Sequence, residues 1–318
     1  MRYAIRKLVT LVITLFLISL LAFLAFSLIP GDPAVLQLGI NATPESLEAL
    51  REEMGLNRPL TVRYFEWLGS LFFGDMGQSF AHGHSVRELL GDRLIITGSL
   101  LGMSFLLAVG IALPMGLLTA GGTEAGRRGR RPLHAAMTIV TQIVMAVPPL
   151  FLGLILTFVF GITFRLFTPS AFVSFRESLG GYLFYMLFPA LAIALPKSAM
   201  IIRLIRSSVR SELKKDYVQT AVSRGNSPRA VLYRHVLPNI AVPVMTFSVL
   251  ALIMMITDSI VVEQVFSIPG AGRLLIGAIG ARDYPVVQAL VVVIAALVMT
   301  LHALTDILAR AIDRRITL

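Results

Sequence analysis

The sequence predicts an all-α polytopic membrane protein with six transmembrane helices and both termini in the cytoplasm. Three observations predict it. Of 318 residues, 56% are hydrophobic and only 14% charged, against about 45–50% and about 25% in soluble domains. Six stretches supply the roughly 20 apolar residues that a helix needs to cross a bilayer, where lipid offers the backbone no hydrogen-bond partner. Lysine and arginine collect in loops on one side of these stretches, and short basic loops stay cytoplasmic.

The first span runs from Leu8 to Ile29 without a charge, and the second from Leu94 to Ala120, interrupted only by glycines and Pro114. The third covers Ala135 to Phe164 through Pro148 and Pro149, and the fourth about Leu179 to Ile202 with Pro189, Pro196 and Lys197 inside. Prolines remove helix hydrogen bonds, so these two are expected to bend. The fifth covers about Ile240 to Val262 with Asp258, and the sixth about Pro285 to Leu304 with His302. Lys197 reads as an interface residue that snorkels, or as one half of an ion pair. Basic residues precede the first span, as in a secretory signal, but signal peptides use about 7–15 apolar residues, so this span is expected to be retained.

Sidedness follows from the charges. Arg2, Arg6 and Lys7 precede the first span; Arg127, Arg128, Arg130 and Arg131 follow the second; Arg310, Arg314 and Arg315 close the chain. Between spans four and five lie Arg203, Arg206, Arg210, Lys214, Lys215, Arg224, Arg229 and Arg234, opposed only by Glu212 and Asp216. The other side carries an acidic excess between Asp32 and Arg93. The net charge of +10 is thus explained by topology, and no nucleic-acid partner is needed. With no cysteine, disulfides and thiolate chemistry are excluded.

The chain divides into an N-terminal transmembrane helix (1–30), a periplasmic segment with short helices (31–93) and a five-helix core (94–318) with a cytoplasmic loop at about 203–238. In the outer segment Thr43 can cap a helix with Pro44 at its first position and Glu45 in its first turn, and Gly55 can end it. A second helix starts near Pro59 and carries Tyr64, Phe65, Trp67, Leu68, Phe72 and Phe73, an aromatic set suited to the membrane interface. This segment reads as a cap over the outer mouth or as a docking surface for an outside partner. His82 and His84 lack further ligands and read as a solvated loop rather than a metal site.

The loop at 203–238 is basic yet patterned. Leu213, Tyr217, Thr220 and Ala221 share a helical face, and Gly225 can supply a left-handed stop. Asn226 or Ser227 can then cap a second helix with Pro228 first and Val231, Leu232, His235 and Val236 on its apolar side, until Pro238 ends it. A basic anchor on anionic lipid would explain the charge. It would not explain the capping. A preorganised hairpin suits a groove in a cytoplasmic partner.

The sequence here resembles the inner-membrane permease subunits of binding-protein-dependent ABC importers, in the peptide and nickel branch. Gln219, Thr220 and Ala221 match the opening triplet of that family's E-A-A signature without its glutamate; Gly225, His235, Leu237 and Pro238 match the remainder. Gly31-Asp32-Pro33-Ala34, Arg58-Pro59-Leu60, Gly74-Asp75-Met76-Gly77-Gln78-Ser79, Val265-Phe266-Ser267-Ile268-Pro269-Gly270 and Arg282-Asp283-Tyr284-Pro285 also look like the family. Departures are Ile95, Arg314 and His302, which stands where the family has asparagine. The resemblance implies a type I ABC permease fold, with Tyr217, Gln219, Thr220, Ala221, Arg224, Gly225, Ser227, Pro228, Leu237 and Pro238 coupling to an ATPase subunit. It implies receptor docking at Asp75, Gln78, Phe266, Pro269, Arg282 and Asp283. Implied partners are a second homologous permease, two cytoplasmic subunits that bind ATP and Mg, and an extracytoplasmic substrate-binding protein. Implied cargo is di- or oligopeptide, with nickel or a metal chelate as the alternative.

No phosphate-cradling G-x-x-x-x-G-K-[ST] is present, nor any paired-carboxylate, Ser/His/Asp or metal constellation, so the chain is expected to bind no cofactor and catalyse nothing. A proton- or ion-coupled carrier is the alternative from another class. It would use Asp258, His302 and Asp306 and an internal repeat, which the sequence does not show.

Overall fold

The computed structural model describes residues 2–28, 32–39, 42–120 and 124–312. Arg314, Arg315 and Gly31 lie outside the described residues, as do the side chains of Arg2, Lys7, Arg127, Arg128, Arg130 and Arg131. The order is α1 (Arg2–Leu28), α2 (Pro33–Leu38), α3 (Pro44–Glu53), α4 (Leu60–Phe72), α5 (Val86–Ala120), α6 (Glu124–Ala146), α7 (Pro149–Leu156) continued by a π-helical turn (Thr157–Thr163), α8 (Leu179–Glu212), α9 (Asp216–Ser223), α10 (Pro228–Val231), a π-helical turn (Leu232–Val236), α11 (Leu237–Val265), α12 (Ala271–Gly280) and α13 (Tyr284–Ile312).

Among the described residues, five helices are long and apolar enough to cross a membrane, in Val9–Ser27, Val86–Ala120, Leu179–Glu212, Pro228–Val265 and Tyr284–Ile312; a sixth span exists if Ala135–Ala146 and Pro149–Thr163, bent by 101°, count as one. The bend has a local cause. A residue before proline is pushed out of the α region, and Pro148 is extended with ψ 145 ahead of Pro149. Pro114, Pro189, Pro196 and Pro243 lie inside unbroken helices.

The chain forms two compact units, residues 1–97 with 269–300 and residues 98–268 with 301–318. In the first, α4 packs on α1 through Tyr64, which is buried and shares a 2.9 Å hydrogen bond with Ser19 Oγ, and whose ring meets Phe23 edge-on at 5.3 Å. Val86 and Leu90 of α5 form a core with Ala271 and Ala278 of α12 and Val286, Val287 and Leu290 of α13. The outer-segment caps follow their sequence signals. Thr43 and Ser46 form a reciprocal capping box, and Gly55 takes φ +66. Asp32 caps α2 through Ala34 N at 2.9 Å and accepts Arg51 Nε at 2.7 Å, tying α2 to α3.

In the second unit α8 is the central helix: 56% of its most apolar window is buried, against 17% for α1. It packs on α6, α7 and α11. Ile201, Ile202, Ile205 and Val209 of α8 meet Ala112 and Ala120 of α5, Ile240 and Ala251 of α11, and Val218, Ala221, Val231 and Val236 of the hairpin segments.

Several boundaries differ from the sequence reading. The second span begins at Val86 rather than Leu94, because Glu88, Asp92 and Arg93 are polar yet remain in the helix. The fourth continues to Glu212, placing Arg203, Arg206 and Arg210 on α8; Arg206 Nη2 donates to Thr138 Oγ1 at 2.7 Å. Lys197 does not snorkel. It is buried and pairs with Asp258 at 2.7 Å.

Candidate functional site

The segment between α8 and α11 is a helical hairpin whose geometry is set residue by residue. α8 stops at Glu212, where Leu213 caps it with its N–H on Val209 O, and Lys215 turns extended to start α9. α9 ends in a left-handed turn: Gly225 has φ +83, its N–H donates to Val222 O at 2.9 Å, and Asn226 Nδ2 donates to Ala221 O at 2.9 Å. Only glycine takes such a φ without a Cβ penalty. Ser227 then caps α10, accepting from Ala230 N at 3.3 Å, with Pro228 in the first turn.

Pro238 does not end the second helix, as the sequence reading had it. A proline in the first turn lacks an N–H that would have no partner there in any case, and the π turn at Leu232–Val236 carries the chain into α11. His235 O accepts Asn239 Nδ2 at 2.7 Å.

The predicted site residues separate into two sets. Ala221 is buried and Leu237 half-buried, so they hold the hairpin on the core. Tyr217, Gln219, Thr220, Arg224, Gly225, Ser227, Pro228 and Pro238 are exposed. The buried face of α9 is Val218 and Ala221, and Leu213, expected on that helix, lies before it because the chain breaks at Lys214 and Lys215.

Sequence reasoning missed the anchor beneath this surface. Glu212, buried at 7% exposure, receives Tyr217 Oη on Oε1 at 2.6 Å and pairs with Lys215 Nζ on Oε2 at 2.7 Å. Asn239 Nδ2 donates to Tyr217 Oη at 2.9 Å, closing a network from α8 through α9 to α11. Burial first, and then the Glu212 carboxylate, push the Tyr217 hydroxyl up to about 12. The available signal was Glu212 itself, an acid in a strongly basic stretch.

The expected docking residues are of two kinds as well. Asp75 and Gln78 are exposed; Asp75 Oδ1 accepts Gly77 N at 2.9 Å, and Gln78 bridges Ser85. Pro269 is half-buried, and so is Arg282, which takes φ 55 and turns the chain into α13. Phe266 and Asp283 are each 1% exposed, so neither side chain is free to touch a receptor. Phe266 stacks on Phe167 with ring centroids 6.1 Å apart, and its carbonyl accepts Tyr185 Oη at 2.5 Å. Asp283 accepts Ser79 Oγ at 2.5 Å, Phe80 N at 3.0 Å and Ala81 N at 3.3 Å, fastening the 79–85 loop. His82 joins that latch through Ser79 Oγ at 3.2 Å. No group of three or more His, Asp or Glu able to hold a metal occurs among the described residues.

Residues 112–318 match the family described as the binding-protein-dependent transport system inner membrane component, and residues 1–101 match its N-terminal family. A probable peptide ABC transporter permease of Sinorhizobium fredii is 33% identical over 99% of this chain and 98% of its own length. The oligopeptide transport system permease AppB of Bacillus subtilis is 32% identical over 99% of this chain and 98% of its own. The dipeptide transport system permease DppB of Lactococcus lactis is 29% identical over 100% and 99%. A solved inward-facing MetNI methionine ABC transporter has a chain with TM-score 0.57 at 16% identity, covering 71% of this chain and 96% of that one, a likeness of fold. The chain therefore belongs to the binding-protein-dependent transport system inner membrane component family, as a multi-pass permease subunit of an ABC importer.

Proposed function

We propose that this permease subunit carries di- or oligopeptides inward, lining half of the pathway beside a second, homologous permease. Both termini and the hairpin at 213–236 face the cytoplasm, with the bent pair completing six spans. Two ATP-binding subunits grip the hairpin, and an extracytoplasmic binding protein delivers cargo to the opposite face around Asp75, Gln78, Pro269 and Arg282. The peptide assignment rests on the named activities of the relatives.

One observation carries the mechanical reading. The hairpin is capped at both helices, seated on the core through Val218, Ala221, Val231 and Val236, and locked to α8 and α11 by Glu212, Tyr217 and Asn239. A push on its exposed face therefore reaches both long helices rather than being absorbed by a loose loop. Only a partner with different contacts in two states can drive such a shift, and nucleotide-driven closure of an ATPase subunit is of that kind.

The chain has no cysteine, so a single Gln219→Cys or Arg224→Cys substitution gives an unambiguous cross-linking handle. Crosslinks to the nucleotide-hydrolysing subunit, changing in yield with bound nucleotide, are expected. A hairpin that never crosslinks while the complex hydrolyses ATP would overturn the coupling assignment. Mass spectrometry of cargo on the isolated cognate receptor tests the peptide assignment separately.

A further inference from the structure

We propose that the cavity bordered by α1, α4 and the start of α13 binds the headgroup of a zwitterionic phospholipid, with Arg63 holding the phosphate and Glu53 facing the ammonium. The cavity measures about 300 Å³ and is lined by Phe23, Glu53, Arg63, Glu66, Trp67 and Tyr284 among others. It holds donors that the protein does not use. Trp67 Nε1 and Tyr284 Oη are buried without a hydrogen-bond partner, and Tyr284 is 8% exposed.

Two cations line it, Arg58 and Arg63. Neighbouring Arg58 is neutralised by Glu66 at 3.0 Å, whereas Arg63 makes no ion pair among the described residues. It lies 6.0 Å from the centroid of the Phe23 ring, and burial lowers its pKa from the ordinary arginine value. A half-desolvated guanidinium beside an indole N–H and a phenol O–H matches the oxygens of a phosphate ester, which accept several charge-assisted bonds at once.

The surroundings select the rest of the ligand. Glu66 also borders a shallow apolar groove formed by Thr61, Val62 and Phe65. On the same helix and just after it, Phe65, Phe72 and Phe73 are 64%, 81% and 93% exposed. Tyr64 reaches Ser19 and Phe23 within the first candidate membrane span, so α4 lies against α1, where its exposed rings would meet acyl chains. An ester with phosphate and ammonium at one end and hydrocarbon at the other satisfies cavity and groove together. Glu53, which makes no ion pair among the described residues, disfavours a headgroup that carries only negative charge.

The test is native mass spectrometry of the whole assembled transporter, delipidated and then exposed to vesicles of equal phosphatidylethanolamine and phosphatidylglycerol. One phosphatidylethanolamine retained per copy of this chain is expected. Arg63→Ala should lower retention at least tenfold and Trp67→Phe, which keeps the ring but loses the N–H, several-fold; Arg63→Lys should fall between wild type and Arg63→Ala. Undiminished retention by Arg63→Ala, preference for phosphatidylglycerol, or displacement of the lipid by inorganic phosphate or by a dipeptide would overturn the proposal. The readout is bound lipid and stands apart from transport.

Discussion

The Tyr217 hydroxyl donates to Glu212 Oε1 at 2.6 Å, so the first helix of the hairpin is fastened to the last turn of α8. Because Glu212 is buried, losing this donor leaves a carboxylate with Lys215 alone. Hydrogen bonds to charged groups contribute about 1.5–3 kcal/mol; with Tyr217 38% exposed, the lower end applies. Tyr217→Phe is expected to lower hairpin stability by about 1.5 kcal/mol and to weaken transport per ATP hydrolysed. Assays of both rates in reconstituted vesicles check it.

The same hydroxyl gives a pH dependence with a definite sign. Its folded pKa is raised to about 12, above an unfolded value near 10, so the protonated form is the one favoured on folding. Its stabilising contribution is complete below about pH 10 and is lost as pH rises through about 12. Difference absorbance of tyrosinate between wild type and Tyr217→Phe should show one group titrating near 12. Titration near 10 would contradict the network.

Gly225 sits at φ +83 with nothing within 4 Å of an added Cβ. The penalty for a side chain is therefore backbone strain alone, about 1–2 kcal/mol and larger for a β-branched residue. Gly225→Val is expected to uncouple ATP hydrolysis from transport in membranes while protein levels hold, and Gly225→Asn, which tolerates the left-handed region, to retain most coupling. Equal coupling in the two variants would sink the argument.

Much of the outer segment and of this hairpin is legible in sequence because the signals are local. Thr43, Gly55, Gly225, Ser227 and Pro228 work through their own backbone, within one turn, and each acts in the structure as its chemistry dictates. What sequence hides depends on partners far along the chain. Nothing near Asp283 announces that it accepts from Ser79, and Phe266 reads as a surface motif residue until Phe167 and Tyr185 cover it. Pro238 misleads for another reason: a stop signal and a first-turn position use the same missing N–H, and only the π turn before it distinguishes them.

Lys197 and Asp258 form a 2.7 Å ion pair joining α8 to α11 within their spans. Removing one member strands the other charge in a low-dielectric interior, which typically costs about 3–5 kcal/mol. Lys197→Met alone is expected to cut the amount of folded protein in membranes sharply. The double variant Lys197→Met with Asp258→Leu removes both charges and should recover most of it. If the double variant is as poor as the single one, the pair is not what joins these helices.

Asp283 holds the 79–85 loop by three donors, two of them the amides of Phe80 and Ala81. Asn is nearly isosteric but offers one accepting oxygen and turns an NH2 toward donors. Asp283→Asn is expected to loosen the loop by about 2 kcal/mol, read as more than tenfold faster hydrogen exchange at Phe80 and Ala81 with the exchange of α8 unchanged. Receptor-stimulated ATP hydrolysis should fall with it if this face receives the binding protein.

Gly116 lets α5 approach α8: an added Cβ would stand 2.9 Å from both Cβ and Cγ2 of Ile205, atoms at a branch point that cannot swing away. Overpacking of this kind costs about 1–3 kcal/mol. Gly110, six residues earlier on the same helix, has nothing within 4 Å of its Cβ position. Alanine is favoured over glycine in a helix by about 0.8–1 kcal/mol, so propensity alone would make both substitutions mildly stabilising. Thermal unfolding in detergent should separate the two effects: Gly110→Ala unchanged or higher, Gly116→Ala several degrees lower. A Gly116→Ala protein that melts with Gly110→Ala would mean that the helices part easily at this level, and that the contact with Ile205 does not fix the distance between them.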